Sequence, residues 1–255
     1  MMSKEYEKVM ELLQCSKRGF ALTGAGVSTL SGIPDFRTDD SGIWDRFDRD
    51  RIFNISVFYR HPELFYEFAR EQIYGLHNAK PSEAHLLLAE LEKRGMINAV
   101  ATQNIDGLHH EAGSETVYEL HGHARSSHCI DCGRYYSIEE TVERLKDVEY
   151  PLCDCGSPIK PDVIFYGEQL PVDALNRSMS LAQKCDLLLV MGTSLVVYPV
   201  AFIPQLAKES GASIIIFNKT ETPFDSQADV VIRDDLKEAS NDLMGRLKSS
   251  DCNQE

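Results

Sequence analysis

Phe20-Ala21-Leu22-Thr23-Gly24-Ala25-Gly26-Val27-Ser28 runs from a short apolar segment into a glycine-alanine-glycine turn. Four residues of this character read as a buried strand. A strand, then Gly-x-Gly, then a helix is the arrangement that brings a pyrophosphate against backbone N–H groups at a helix start. The third glycine of the usual G-x-G-x-x-G is absent, because Thr29 stands there. Taken alone, the motif is equally that of a plain tight turn.

Working outward, Ile97–Ala101 and Thr116–Leu120 are further strand candidates, and each ends on polar residues. The first runs into Thr102-Gln103-Asn104-Ile105-Asp106 and the second into His121-Gly122. Leu187–Met191, Ser213–Phe217 and Asp229–Ile232 are short apolar runs that read as central parallel strands between helical stretches. Residues 3–17 and 236–248 carry amphipathic helical patterns, with fraying expected from Ser249 to Glu255. The fold class expected is α/β, a doubly wound parallel sheet. In such sheets ligands bind at the carboxyl ends of the strands, so Asn104, Asp106 and His121 are expected to converge on one crevice. Either Asn104 or Asp106 by itself would be read as a turn residue.

The 255 residues are 43% hydrophobic and 26% charged, the composition of a folded globular chain. A formal net charge of −14 argues against a phosphate-backbone binder and favours cationic partners such as lysine-rich peptides. The charged start lacks the apolar core of a signal peptide, and no apolar run approaches the ~18 residues of a membrane span. A cytoplasmic protein is expected. Of seven cysteines, four fall in one region as Cys129-x-x-Cys132 and Cys153-Asp154-Cys155. In a reducing compartment that cluster points to metal, the competing reading being free or oxidised thiols. Four thiolates would make a closed, structural zinc site. The C-x-C half is expected to strain its turn.

Between Gly32 and His61 lies Gly32-Ile33-Pro34-Asp35-Phe36-Arg37, where an aromatic ring sits between a carboxylate and a guanidinium. Gly24–Ser28, Gly32–Arg37, Thr102–Asp106, His121-Gly122 and the paired cysteines, in that order, closely resemble the sirtuins, NAD-dependent protein lysine deacylases. The match is to the short bacterial or archaeal type. It continues through Val163–Glu168, Gly192-Thr193-Ser194-Leu195, Val197-Tyr198-Pro199, Phe217-Asn218 and Thr222–Asp225, so it covers nearly the whole chain. Sirtuins more often carry C-x-x-C at the second cysteine pair. The resemblance implies a Rossmann-like NAD-binding domain from residues 1–38, 86–122 and 166–255. A smaller domain is inserted in it, with a helical lobe at 39–85 and a zinc module at 123–165. The aromatic residues Phe58, Tyr59, Phe65, Tyr66 and Phe68 suit core packing of that lobe, and His85 is expected to be structural.

The resemblance further implies a reaction in which the acyl-lysine carbonyl oxygen attacks the ribose carbon bearing nicotinamide. His121 then acts as general base on a ribose hydroxyl, suiting an imidazole whose ordinary pKa is near 6.5. Asn104 positions the ribose and a water, while Asp106 and Ile105 hold the nicotinamide carboxamide. Phe36 shields the reacting centre, Arg37 meets phosphate, and Asp35 belongs to the same loop. Gly24, Ala25, Gly26 and Thr29 line the pyrophosphate. Gln103, Gly192, Thr193, Ser194, Asn218 and Asp235 match ribose and adenine contacts. The acyl-lysine peptide is expected to add as a strand between Val163, Phe165, Gly167 and Glu168 on one side and Val197 and Tyr198 on the other. One subgroup prefers acidic acyl chains through Tyr-x-x-Arg; here Tyr66 matches the tyrosine but Ala69 replaces the arginine, which favours a neutral acyl group. The expected partners are acylated-lysine peptides or proteins, with no direct nucleic acid, no membrane and a monomeric state. ADP-ribosyl transfer to protein, a non-enzymatic NAD sensor and a hydride-transferring dehydrogenase are the competing readings. The first would use another nucleophile, and the second would not need Asn104, Asp106 and His121 together.

Overall fold

The structure, a computed structural model, describes residues 4–34, 46–76 and 78–251. Six parallel strands form the main sheet: β1 (Gly19–Thr23), β2 (Val100–Thr102), β3 (Val117–Glu119), β7 (Leu187–Met191), β8 (Ser213–Phe217) and β9 (Val230–Ile232). Their order is β3-β2-β1-β7-β8-β9, all neighbours parallel. The doubly wound sheet expected from the sequence is present, and its strand order reverses beside β1, the position that opens a crevice at the carboxyl ends.

Alternation along each strand divides the core between two faces. Ala21, Leu187, Leu189, Met191, Ile215 and Phe217 pack on one face with Val9 and Leu13 of the helix Lys4–Cys15. Leu87, Leu88 and Leu91 of Glu83–Lys93 and Leu243 and Leu247 of Leu236–Asp251 complete that layer. Phe20, Leu22, Leu188, Val190, Ile214 and Ile216 face the helices Val172–Ala182 and Ile203–Glu209. Strands buried on both faces cannot alternate apolar with polar, which is why they read as continuous apolar runs.

A second, antiparallel sheet has the order β5-β4-β6, from β4 (Gly122–Cys129), β5 (Tyr135–Ser137) and β6 (Ile159–Val163). Against it packs an aromatic cluster of Phe47, Phe53, Phe58, Phe65, Tyr66, Phe68 and Phe165. Its rings meet largely edge to face, as at Phe53 and Phe68 with centroids 5.4 Å apart. The expected stripe is therefore core, except for Tyr59, which is exposed.

Three boundaries differ from expectation. The Gly-x-Gly loop opens into two 3-10 turns, Ala25–Val27 and Thr29–Ser31, and not an α-helix. Gly32 in the left-handed region ends the second, and Pro34 disfavours helical backbone at Ile33. The strand before Asn104 lies later than Ile97–Ala101, at Val100–Thr102, with Thr102 paired to both Thr23 and Glu119. The closing helix continues through Ser249 to Asp251, the Ser249 and Ser250 hydroxyls donating back to the carbonyls of Gly245 and Arg246.

Candidate active site

Parallel pairing in register brings Thr23, Thr102, Glu119 and Met191 level at the carboxyl edge. The residues that follow are consequently neighbours although far apart in sequence. They enclose a crevice of about 1200 Å³. Its wall contains every described residue singled out above for cofactor and peptide, from Gly24, Ala25, Gly26 and Thr29 through Gln103–Asp106 and His121 to Gly192–Ser194, Asn218 and Asp235. Val163, Phe165, Gly167, Glu168, Val197 and Tyr198 line it as well. Asp35, Phe36 and Arg37 lie outside the described residues.

The glycines of the first loop act by close approach. A Cβ on Gly26 would stand 2.7 Å from Gly192 Cα, and one on Gly24 2.7 Å from Thr193 Cβ. The N–H of Gly24 donates to Met191 O at 3.2 Å and that of Gly26 to Gly192 O at 2.9 Å, and those of Val27 and Ser28 donate to Gly24 O and Ala25 O. Four N–H groups of this loop, those of Gly24, Gly26, Val27 and Ser28, are thus spent within the fold. In a 3-10 turn packed on the end of β7, Gly24 and Gly26 offer backbone surface while their donors stay within the fold.

Asn104 is buried, and its Nδ2 donates to Gly24 O at 3.1 Å and to Ser28 Oγ at 2.9 Å. Because the Gly24 carbonyl only accepts, this orients the amide and leaves Oδ1 as its acceptor toward a ligand. Ser28 spends its own proton on Asp106 Oδ2 at 2.7 Å, while Leu108 N–H donates to Oδ1 at 2.9 Å. His121 Nδ1 lies 3.1 Å from Gln103 O. A carbonyl accepts only, so the neutral ring carries its proton on Nδ1 and its basic lone pair on Nε2. Gln103 Nε2 donates to Thr193 Oγ1 at 2.9 Å, tying the β2 loop to the β7 loop. Asn218 Nδ2 donates to Thr220 O at 2.8 Å. Asp235 Oδ1 accepts from Lys237 N–H at 2.9 Å and so caps the last helix.

Sequence reasoning gave no role to Ser28, and took His85 as structural. His85 is fully buried beside Ser28, its Nδ1 accepting from Ser82 N–H at 3.1 Å in a capping box that starts Glu83–Lys93. Burial lowers its pKa to about 4, against a smaller opposing pull from Asp106. His109 packs edge-on with ring centroids 4.6 Å apart and is held well below the ordinary histidine range by burial and by His85. Two neutral imidazoles therefore back the crevice at neutral pH. A Ser-x-x-His at a helix start was the available signal, because that spacing places the ring over the N-cap.

Away from the crevice, the sulfurs of Cys129, Cys132, Cys153 and Cys155 all lie within 4.8 Å of one another. Cys129 and Cys155 are 3.4 Å apart, and Cys132 and Cys153 3.5 Å. Zinc–thiolate bonds of about 2.3 Å imply tetrahedral edges of about 3.8 Å, so the four donors fit a structural zinc. The expected strain at the C-x-C half is relieved by a turn in which Gly156 N–H donates to Cys153 O at 2.9 Å, with Gly156 itself in the left-handed region. Tyr136 donates its hydroxyl to Cys153 Sγ at 3.0 Å. The backbone N–H of Cys155 and this hydroxyl lower the Cys153 pKa to about 6. Asp154, between the two cysteines, is bracketed by Arg134 and Arg144.

Comparison with known proteins agrees with this geometry. The Sir2 family description matches residues 24–199. An NAD-dependent protein deacetylase of Thermotoga maritima is 45% identical over 96% of this chain and 98% of its own length. A solved complex described as Sir2, p53 peptide and NAD+ superimposes with a TM-score of 0.89 at 43% identity, covering 96% of this chain and 98% of that one. Another, a Sir2 variant with deacetylated p53 peptide and 3'-O-acetyl ADP-ribose, gives a TM-score of 0.91 at 44% identity over 95% and 98%. With the Gly-x-Gly turn, the polar strand ends and the four-cysteine module all in place, the chain belongs to the Sir2 family.

Proposed function

We propose that this protein is an NAD-dependent protein-lysine deacetylase that transfers the acyl group from lysine to ADP-ribose and releases nicotinamide. The observation that carries the reading is the convergence of Asn104, Asp106 and His121 at one crevice, each with its hydrogen-bonding direction set by the fold. The family relatives named as deacetylases, and the solved complexes holding NAD+ or an acetylated ADP-ribose, support it.

NAD supplies, when bound, an electrophilic ribose carbon and a departing nicotinamide. The chain's own residues orient and move protons. Asn104 Oδ1 accepts from a ribose hydroxyl or a held water, and Asp106, braced by Ser28 and Leu108, accepts from the carboxamide. His121 takes a ribose hydroxyl proton at Nε2, which frees that oxygen to attack the carbon derived from the acyl group. Holding reactants in one geometry supplies a large part of such a barrier reduction. Phe36 and Arg37 take the shielding and phosphate roles that the family resemblance gives them.

The peptide enters between Gly167-Glu168 and Val197-Tyr198 as an added strand. A neutral acyl group is favoured, since Ala69 is a buried methyl and the Tyr66 hydroxyl donates to Ile159 O at 2.7 Å. The four cysteines hold one structural zinc, with no position left for catalysis. The same reading makes the protein a monomer acting in the cytoplasm on acylated proteins, without nucleic acid. No helix among the described residues is long and apolar enough to cross a membrane.

The test is mass spectrometry of an acetyl-lysine peptide incubated with the protein, with and without NAD. Loss of acetyl only with NAD, alongside nicotinamide and O-acetyl-ADP-ribose, is the expected result. NAD cleavage with the acetyl group intact and ADP-ribose on protein would replace the deacetylase reading with a transferase one.

A further inference from the structure

Lys160 had no role in the sequence reading, yet its side chain is only 12% exposed, and its ammonium finds three acceptors within the segment that follows it. Nζ lies 2.7 Å from Val163 O, 3.2 Å from Pro161 O and 2.9 Å from Glu168 Oε2. Three donors meet three acceptors, and the Phe165 ring lies beneath, its centroid 4.3 Å away. Glu168 Oε2 in turn accepts from Phe165 N–H at 2.7 Å. Both ends of the turn are therefore fastened to one cation.

The backbone of that turn is nearly fully committed. Ile164 N–H donates to His121 O at 2.9 Å, Tyr166 N–H to Phe53 O at 2.6 Å and Glu168 N–H to Phe165 O at 3.0 Å, while Tyr166 O accepts from Ile55 N–H at 3.1 Å. Gly167, exposed and in the left-handed region, is the one residue of Phe165–Glu168 whose N–H and C=O both lack a partner among the described residues. We infer that Lys160 is a positioning residue for the acyl-lysine peptide, closing the turn with Glu168 so that Gly167 presents its N–H and C=O to an added substrate strand. The inference rests on the deacetylase reading and on strand addition at this edge. A partly buried ion pair is a poor source of stability compared with an apolar pair of the same shape, whereas its geometry is specific. Its contribution is the direction in which Gly167 faces.

The test uses Lys160→Met and the charge-neutral pair Lys160→Met with Glu168→Gln, the second leaving no half-buried carboxylate without its cation if the first fails to fold. Wild type is first shown to deacetylate the acetyl-lysine peptide. Without that activity the deacetylase reading fails, and this inference with it. In the variants KM for the peptide should rise about tenfold or more, while NAD affinity of Lys160→Met, measured calorimetrically without peptide, stays within about twofold. Wild type should lose about tenfold in binding a peptide N-methylated at the main-chain amide that pairs with Gly167, and the variants should be much less sensitive, a coupling that a merely structural role does not produce. An unchanged peptide KM, a matching loss of NAD affinity, or the full N-methyl penalty retained in both variants would overturn the role of Lys160 while leaving the deacetylase reading intact.

Discussion

Ser28 Oγ stands 2.7 Å from Asp106 Oδ2 and 2.9 Å from Asn104 Nδ2, so a single buried hydroxyl orients two of the three side chains on which the crevice depends. Its proton goes to the carboxylate and a lone pair receives the amide. Ser28→Ala leaves both without that partner, the Asn104 amide within a buried environment and the Asp106 carboxylate at the crevice wall. The expected cost is about 1–3 kcal/mol of unfolding free energy, measured by urea titration. NAD-dependent nicotinamide release should fall about tenfold or more, because a carboxylate free to turn no longer holds its ligand in one pose. Wild-type turnover in Ser28→Ala would remove Asp106 orientation from the mechanism.

The doubly wound sheet was legible because its strands are buried on both faces: Leu187–Met191 and Ser213–Phe217 were bounded correctly from apolar runs alone. What failed was local geometry set by distant partners. The loop after Thr23 becomes 3-10 turns because Gly24 and Gly26 pack on Gly192, far away in sequence, and no local signal carries that contact. Lys160 reads as an ordinary surface cation until β6 and the Gly167 turn fold back on it. The crevice residues could be named from ordered motifs, whereas the orientation of Asn104, Asp106 and His121 draws on hydrogen bonds to residues distant in sequence.

Acid should destabilise the protein before its carboxylates titrate. His85 is neutral when folded, with a pKa of about 4, and returns to about 6.5 on unfolding. Below that unfolded value the unfolded chain binds the proton that the folded chain refuses. Stability present above about pH 6.5 is therefore lost progressively as pH falls toward about 4, by roughly 3 kcal/mol for this group. Asp106 opposes the shift, while His109, also lowered, adds to the loss in the same direction. Urea midpoints across this window should fall in wild type and fall less in His85→Gln. Equal slopes in the two proteins would refute the assignment.

Zinc should be present at one per chain by elemental analysis and should be released by Cys129→Ser, with loss of stability, since metal binding and folding of the β4–β6 module are coupled. Tyr136→Phe is the finer test. It removes the donor to Cys153 Sγ while keeping the ring in place, so the module should still fold around the metal. Loss of such a supporting hydrogen bond weakens metal affinity by about 10–100-fold. Competition against a chromophoric chelator reads this directly, and unaltered affinity would show that the Tyr136 hydroxyl does not support the site.

His121 should separate the two halves of the reaction. Its Nδ1–H is spent on Gln103 O, so the ring offers Nε2 as base, and that base is needed only after nicotinamide has left. His121→Ala should therefore retain NAD binding and acetyl-peptide-dependent exchange of labelled nicotinamide into NAD. Formation of O-acetyl-ADP-ribose should fall by about 10²–10⁴-fold, the usual contribution of a positioned general base. The melting temperature should hardly move, because the lost imidazole contact leaves the neighbouring Gln103 side chain bonded to Thr193. Exchange and product formation lost in equal measure would place the proton transfer before nicotinamide departure. Retention of both would take His121 out of the chemistry altogether.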